Sequence, residues 1–421
     1  MSYDLLHRNT KSIAEEILSD TPVLSVSGAR QVGKSTLASQ LLLDRPSRFV
    51  NLDETSHLTS AREDPDGFVR MFPEGTLAID EIQRAPELFR AIKGALEEDR
   101  RPGRFIITGS SNLLNLQGAE ESLAGRAETL VLRGFSRGER NGFVEDFANF
   151  AWGLDESAPP HTPPGAPVSR GEYLEMLTEP SFPELRKASE RRRDRWVNAY
   201  VNRVLSKDAT TLFGLQFPDR LHTILNKIAA TGTAEFVATT FGRDLSIPSN
   251  SIPSYLHSLE SVYLVDSLPA WGTNLGKRAI SKPKVFVSDP GLAVSLAGVD
   301  ASALEDQITS AFTGGLLESF VASELLKQQA WSRISYKMFH FRSSAGQEVD
   351  LILENRRREI VGLEVKASVS FSSKFLRGLT FLRDLYGDKF KAGIVLHAGT
   401  EILPMGDRLW AMPISTLWRV Q

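Results

Sequence analysis

The sequence predicts a multidomain α/β protein, and three patterns carry that expectation. Short apolar runs alternate with helical stretches from Thr21 to Ser136. A glycine-rich turn lies between the first of those runs and the helix that follows it. Near the end, a helical stretch is followed by a second series of β-rich runs. Strand-sized runs separated by helices are the pattern of a parallel sheet with crossover helices, because each crossover must span the sheet.

In chain order, TPVLSVSGA predicts a buried strand, KSTLASQLLL a helix and SRFVNLDE a second strand. TLAIDEIQ is a third strand, ELFRAIKGALEED a helix, RFIITGSS a fourth strand and ETLVLRGFS a fifth. Residues 153–169 hold five prolines and no apolar periodicity, which predicts a loop or linker. A helical stretch runs on to about residue 218. LHTILNKIAA, AEFVATTFG and SIPSYLHSLESVYLV are three short amphipathic segments, followed by LVDSLPAWG and KPKVFVSD. Three helices and then a two-stranded ribbon give a winged-helix-like order. The last part predicts a helix at GGLLESFVASELLKQ and strands at YKMFHFRS, VDLILEN, EIVGLEVKA and KAGIVLH. The expected domains are therefore residues 1–145, 146–218, 219–290 and 291–421.

At 421 residues the chain is too long for one ordinary core. It has no cysteine, which excludes disulfides and Cys-ligated zinc or iron–sulfur centres. The N-terminal segment lacks the apolar run of a signal peptide, and no stretch reaches the roughly 20 apolar residues of a membrane helix. The expectation is a cytoplasmic protein with no membrane partner. A net charge of −3 argues against a globally basic nucleic-acid binder and leaves local patches open. The densest basic run, Arg186, Lys187, Arg191, Arg192, Arg193 and Arg195, reads as a solvated helix face or a phosphate-binding stripe.

Gly28, Ala29, Arg30, Gln31, Val32, Gly33, Lys34, Ser35 and Thr36 match the P-loop spacing, between a strand and a helix. Gly28 and Gly33 let the backbone turn tightly enough for its N–H groups to wrap phosphates. The helix that follows adds the positive end of its dipole. Lys34 is expected to reach the β- and γ-phosphates of ATP, and Ser35 to hold Mg²⁺. Some 45 residues on, the strand ending in Asp80 and Glu81 supplies a carboxylate for the Mg²⁺ shell and a base for the attacking water. The fourth strand ends at Thr108, Gly109, Ser110, Ser111 and Asn112, with Ser110 either a γ-phosphate sensor or a helix cap. Arg126 is a candidate charge-stabilising arginine, acting in cis or on a neighbouring subunit, and Arg30 is another contact candidate.

GARQVGKSTL, LAIDEIQRAPELFRAIK, FIITGSSNLL and ESLAGRAETLVLRGFS together resemble bacterial and archaeal AAA-type ATPases with an uncharacterised C-terminal domain. These lie within the STAND-like branch of P-loop ATPases. The resemblance implies a RecA/AAA-like parallel sheet. LLESFVASELLK, FHFRSSAGQEVDLILE and GLEVKAS resemble that family's terminal domain, which is similar to PD-(D/E)XK nucleases. The chain departs from the family at Glu179 to Glu184, EPSFPE, where a Gly-Gly pair usually precedes the aromatic-Pro-Glu.

Chemistry alone suggests a second site. Glu364 and Lys366 occupy alternate positions of one predicted strand, so they share a face, and Asp350 joins them if its strand pairs with theirs. Two carboxylates could hold Mg²⁺ or Mn²⁺ while the lysine orients water, and Glu318 could add a third carboxylate. In nucleases of the type it resembles, these groups cleave phosphodiesters. A strand pair with ordinary salt bridges is the plainer reading. In the middle segment, Ile247 to Val265 would be the recognition helix, presenting Ser249, Asn250, Ser251, Ser254 and Tyr255. Lys277, Arg278, Lys282 and Lys284 would sit on the wing against DNA phosphates. The combined expectation is an Mg²⁺-dependent ATPase switch acting on duplex or single-stranded DNA. The alternative is a switch that binds a protein partner or a second copy of itself through a non-catalytic terminal domain.

Overall fold

The computed structural model describes residues 5–110, 122–155, 165–209, 219–274, 278, 281–306 and 311–420. Contacts divide the chain into two units. The first holds residues 1–135, 182–184 and 261–263, and the second holds the remainder. Each is described by itself. Ser111, Asn112 and Lys277 lie outside the described residues.

All five strands expected in the first unit form: β1 (Val23–Ser27), β2 (Ser47–Asn51), β3 (Thr76–Asp80), β4 (Phe105–Gly109) and β5 (Ala127–Val131). They pair in parallel in the order β2-β3-β4-β1-β5. The three inner strands, VLSVS, TLAID and FIITG, are buried at every position, as a sheet covered on both faces requires. The edge strands SRFVN and AETLV are mixed, and each buries one residue. Helices α1 (Thr10–Asp20), α2 (Lys34–Leu41), α3 (Thr55–Glu63), α4 (Pro65–Arg70) and α5 (Leu88–Glu98) complete the unit. α5 buries Leu88, Phe89, Ala91, Ile92, Ala95 and Leu96, an i, i+3, i+4 stripe that packs with Leu77, Ile79 and Phe105.

In the second unit, α6 (Arg137–Asn141), α7 (Phe147–Trp152), α8 (Arg170–Leu177) and α9 (Glu190–Arg203) come first. Next come α10 (Asp219–Thr231), β6 (Ala234–Glu235), α11 (Ala238–Leu245), α12 (Ile252–Ser261), β7 (Val265–Leu268) and β8 (Lys284–Val287). The three strands form a small sheet in the order β6-β8-β7. The proposed recognition segment is shorter than its sequence suggests. Ile247 to Ser251 lie ahead of the helix, Pro253 occupies its first turn, and Val265 already belongs to β7. Ser254 is exposed as expected, but Tyr255 is buried at 4% exposure and belongs to the core.

Helices α13 (Pro290–Ala297), α14 (Ala301–Asp306) and α15 (Ala311–Gln328) lead into the terminal sheet. That sheet is built from β9 (Tyr336–Arg342), β10 (Glu348–Asn355), β11 (Ile360–Lys366), β12 (Phe390–His397), β13 (Leu403–Pro404) and β14 (Leu409–Pro413), with helix α16 (Arg377–Tyr386) between β11 and β12 in the chain. β9, β10 and β11 form an antiparallel meander, whereas β11–β12 and β12–β14 are parallel, giving the order β13-β14-β12-β11-β10-β9. α16, β13 and β14 were not expected from the sequence. The register of β9 against β10 shifts between Val349 and Ile352, so Asp350 sits in a bulge.

A buried acid near the start of this unit carries a pH prediction. Burial pushes the Glu145 carboxyl up from 4.5 to about 8, with a Ser136 hydrogen bond opposing that rise. Gly138 leaves room for it, since a Cβ there would come within 1.9 Å of Glu145 Oε2. A raised folded-state pKa favours the protonated acid. The stabilisation is therefore complete below pH 4.5 and is lost as pH rises through about 8. Glu145→Gln is expected to flatten the fall in denaturant midpoint between pH 5 and 9. An unchanged fall would assign that pH dependence to other groups.

Candidate functional site

The order of the inner strands builds the first site. β4 lies between β1 and β3, so three carboxyl ends meet: the loop after β1, Asp80 at the end of β3, and Thr108 near the end of β4. Gly28 has φ +150°, and a Cβ on it would lie 2.1 Å from the Leu132 carbonyl oxygen. Gly33 has φ +102° and Gln31 φ +61°, so the loop turns through left-handed backbone before α2 begins at Lys34. Val32 is buried, and its carbonyl accepts a hydrogen bond from Arg8 at 3.2 Å. Gln31 and Thr36 are exposed, and Arg30 is half-buried. Gly28→Ala is expected to cost at least about 2 kcal/mol and to abolish nucleotide binding, read by thermal melting and by titration with a fluorescent nucleotide.

Lys34 is 5% exposed, and its Nζ donates to the carbonyls of Gly28 and Ala29 at 3.0 and 2.8 Å. The ammonium is thus held over the loop by the loop's own backbone. Ser35 Oγ lies 2.9 Å from both carboxylate oxygens of Asp80, which is itself buried. The pair fits Mg²⁺: one hydroxyl and one carboxylate are hard oxygen donors, and Mg²⁺ takes few protein ligands when phosphates supply the rest.

Two roles here go beyond the sequence reading, which names Thr108 only as part of the polar end of its strand and does not single out Gln83. The Thr108 hydroxyl donates to Asp80 Oδ1 and accepts the Glu81 backbone N–H at 3.3 Å. It therefore joins the metal carboxylate to the backbone of the proposed base. Gln83 Nε2 donates to Glu81 Oε2 and to Ser110 Oγ, the latter at 3.1 Å. Ser110 is consequently tied to the proposed base through Gln83. Glu81 has φ +59°, an uncommon conformation for a residue with a side chain, and it turns the chain sharply at the end of β3. Thr108 could have been found as the polar residue closing an apolar strand beside the P-loop strand. Gln83 had no such signal.

Arg126 is not brought to this site. It directly precedes β5, where Ala127 pairs with Val23, so it lies at the opposite end of the sheet from the P-loop. It lines a small cleft with Arg100, Asp20 and Glu128. A five-residue strand spans roughly 16 Å, beyond the reach of an arginine acting within its own subunit.

Asp350, Glu364 and Lys366 do come together. The pairing of Leu351 with Leu363 sets Asp350 beside Glu364 on the neighbouring strand. Lys366 Nζ lies 2.7 Å from Glu364 Oε2 and 3.4 Å from Asp350 Oδ2, and Asp350 Oδ2 also accepts the Val365 N–H at 2.9 Å. The structure corrects the wing reading at Lys284. This residue is buried, and its Nζ lies 3.0 Å from Glu348, 3.2 Å from Glu318 and 3.9 Å from Asp350. Arg278 is likewise turned inward, 2.7 Å from Glu354. Only Lys282 among the described wing cations is exposed. The cause is charge balance, since buried carboxylates need cations and β8 supplies one.

Burial, then the Asp350 charge, pushes Glu318 up to about 7 and Glu364 well above the usual carboxylate range. Burial opposes the charge on both lysines. Even so, Glu318, Asp350 and Glu348 raise Lys284 above its ordinary value, and Asp350 and Glu364 do the same for Lys366. As arranged, the cluster does not fit a divalent metal, because ammonium groups occupy its carboxylate oxygens. Among the described residues, no group of three or more His, Asp or Glu is placed to hold a metal ion. No described helix is long and apolar enough to cross a membrane.

Comparison with known proteins gives matches in both units. Residues 171–303 and 313–417 match two domains of unknown function, DUF8612 and DUF4143. Uncharacterized proteins of Mycobacterium bovis and Mycobacterium tuberculosis are each 26% identical over 97% of this chain and 84% of their own. A Walker-type ATPase of Pyrococcus abyssi is 17% identical, covering 70% of this chain and 96% of that one, with a TM-score of 0.41. Residues 20–141 match the family model of an AAA domain. That range is similar to the AAA family, and most of it lies in the first unit.

Proposed function

We propose that the protein is an Mg²⁺-dependent ATP hydrolase whose turnover switches the state of its second unit. The observation that carries this reading is the Ser35–Asp80 pair with Glu81 as the next residue. The loop N–H groups and Lys34 would bind the β- and γ-phosphates, and Ser35 and Asp80 would hold the metal. That metal, when bound, neutralises charge on the phosphates. Glu81, oriented by Gln83, would take the proton of the attacking water. Ser110, hydrogen-bonded to the other side of Gln83, would register the γ-phosphate. Arg126 would act only on the site of a neighbouring copy. Lys34→Ala is expected to abolish ATP binding and Mg²⁺-dependent phosphate release, and undiminished release would remove the P-loop from the mechanism.

A second reading concerns the output. Phosphodiester cleavage of nucleic acid by Asp350, Glu364 and Lys366 would require Lys284 to leave the carboxylates, since ammonium groups now take the places a metal would need. Nicking of DNA with Mn²⁺ present, lost in Asp350→Ala, would support it. ATP turnover indifferent to DNA, together with no nicking, would leave the alternative of a protein-binding switch.

A further inference from the structure

The second unit contains a cleft of about 820 Å³ at the far end of β10 from Asp350. Glu354 lies four positions along the strand from Asp350, roughly 13 Å. Four cations line the cleft, Arg278, Lys337, Arg356 and Arg358, and among its described lining residues Glu354 is the one carboxylate.

That carboxylate is fully engaged. It accepts from Trp271 Nε1 at 2.7 Å and lies 2.7 Å from Arg278 and 2.6 Å from Arg358. One negative charge thus serves two buried or half-buried guanidinium groups. Arg278 is fixed further by the faces of Phe339 and Trp271, 4.9 and 5.2 Å from its guanidinium carbon. Lys337 and Arg356 are exposed at the rim. The lining carries four positive charges against one negative, on a floor whose arginines are locked in place. Leu326, Met338 and Phe339 add an apolar wall.

We propose that this cleft binds a nucleotide phosphate, with the phosphate on the arginines and the base against the apolar wall. Planar guanidinium groups match phosphate oxygens in pairs, and the volume falls in the range of pockets for ligands of nucleotide size. The cleft shares no lining residue with the P-loop or the Asp350 cluster, and the inference does not rest on either activity. The phosphate has two sources: a free nucleotide or the backbone of a single strand.

Full-length Lys34→Ala protein, with its P-loop silenced, is titrated with a fluorescent ADP analogue and, separately, with a labelled short single-stranded oligonucleotide. Binding of the ADP analogue identifies a free nucleotide as the ligand, and binding of the oligonucleotide alone identifies a strand. In either case the rim variant Lys337→Glu/Arg356→Glu is expected to weaken binding at least about tenfold and to make its salt dependence shallower. Both substitutions are on exposed side chains, and an unchanged melting temperature would confirm that the fold is kept. No binding of either probe, or equal binding by the rim variant, would overturn the proposal. A catalytically silent P-loop with an intact cleft, or the reverse, separates this result from the ATPase reading.

Discussion

Glu81→Gln protein is expected to bind ATP as the parent does and to hydrolyse it about 10²–10⁴-fold more slowly. Gln keeps the shape and the left-handed backbone that Glu81 adopts at φ +59°. It cannot accept the proton of the attacking water. Binding should survive because the contacts expected for the phosphates come from the loop, Lys34, Ser35 and Asp80, and none runs through the Glu81 side chain. Gln83→Leu should give a smaller loss in the same direction, since it removes the hydrogen bond that orients the base. Single-turnover phosphate release and equilibrium nucleotide binding, measured on one preparation, make the comparison. Wild-type turnover by Glu81→Gln would exclude it as the base.

Lys284→Met is expected to destabilise the second unit by about 3–5 kcal/mol, because truncating one member of a buried ion cluster leaves the others uncompensated. Glu318, Glu348 and Asp350 would then face each other without the ammonium that now lies within 3.0 to 3.9 Å of them. The same change should create a demand for a cation. Mn²⁺ added at about 100 times its dissociation constant would return about 2.7 kcal/mol. Denaturant midpoints with and without Mn²⁺ read both effects, with Lys284→Arg as the variant that keeps the charge. If Mn²⁺ raised the midpoint of the wild type as much as that of Lys284→Met, the ammonium would not be holding the cation position.

Much of the first site was legible because its determinants are local. A P-loop is a run of nine residues whose glycines are demanded by backbone angles, and the Gly28 φ of +150° meets that demand. Asp80 and Glu81 follow one fully buried strand, and the end of a buried parallel strand is where such sites form. Arg126, expected to act in cis or on a neighbouring subunit, precedes β5 while the other site residues follow their strands, so strand direction disfavours the first of those two readings. Thr108 meets Glu81, and Gln83 meets Ser110, across 27 residues of chain, which no spacing rule reaches.

The second unit was less legible for the same reason. Lys282 and Lys284 look equivalent in the sequence KPK. One is exposed and one buried only because β8 runs beside carboxylates from α15 and β10, 34 and 66 residues further along the chain. Asp350, Glu364 and Lys366 were found because two of them share a strand and the third follows from antiparallel pairing. Lys284, the residue that most alters their chemistry, comes from another sheet.

The bulge at Asp350 makes chain length a variable in its own right. The register of β9 against β10 changes by one residue between Val349 and Ile352, and Asp350 lies inside that change. Removing one residue there would let the strand pair regularly, and every side chain on the near side of the deletion would turn over relative to Glu364 and Lys366. The composition of the cluster would survive while its geometry was lost, so single-residue deletion tests this arrangement in a way no side-chain replacement can.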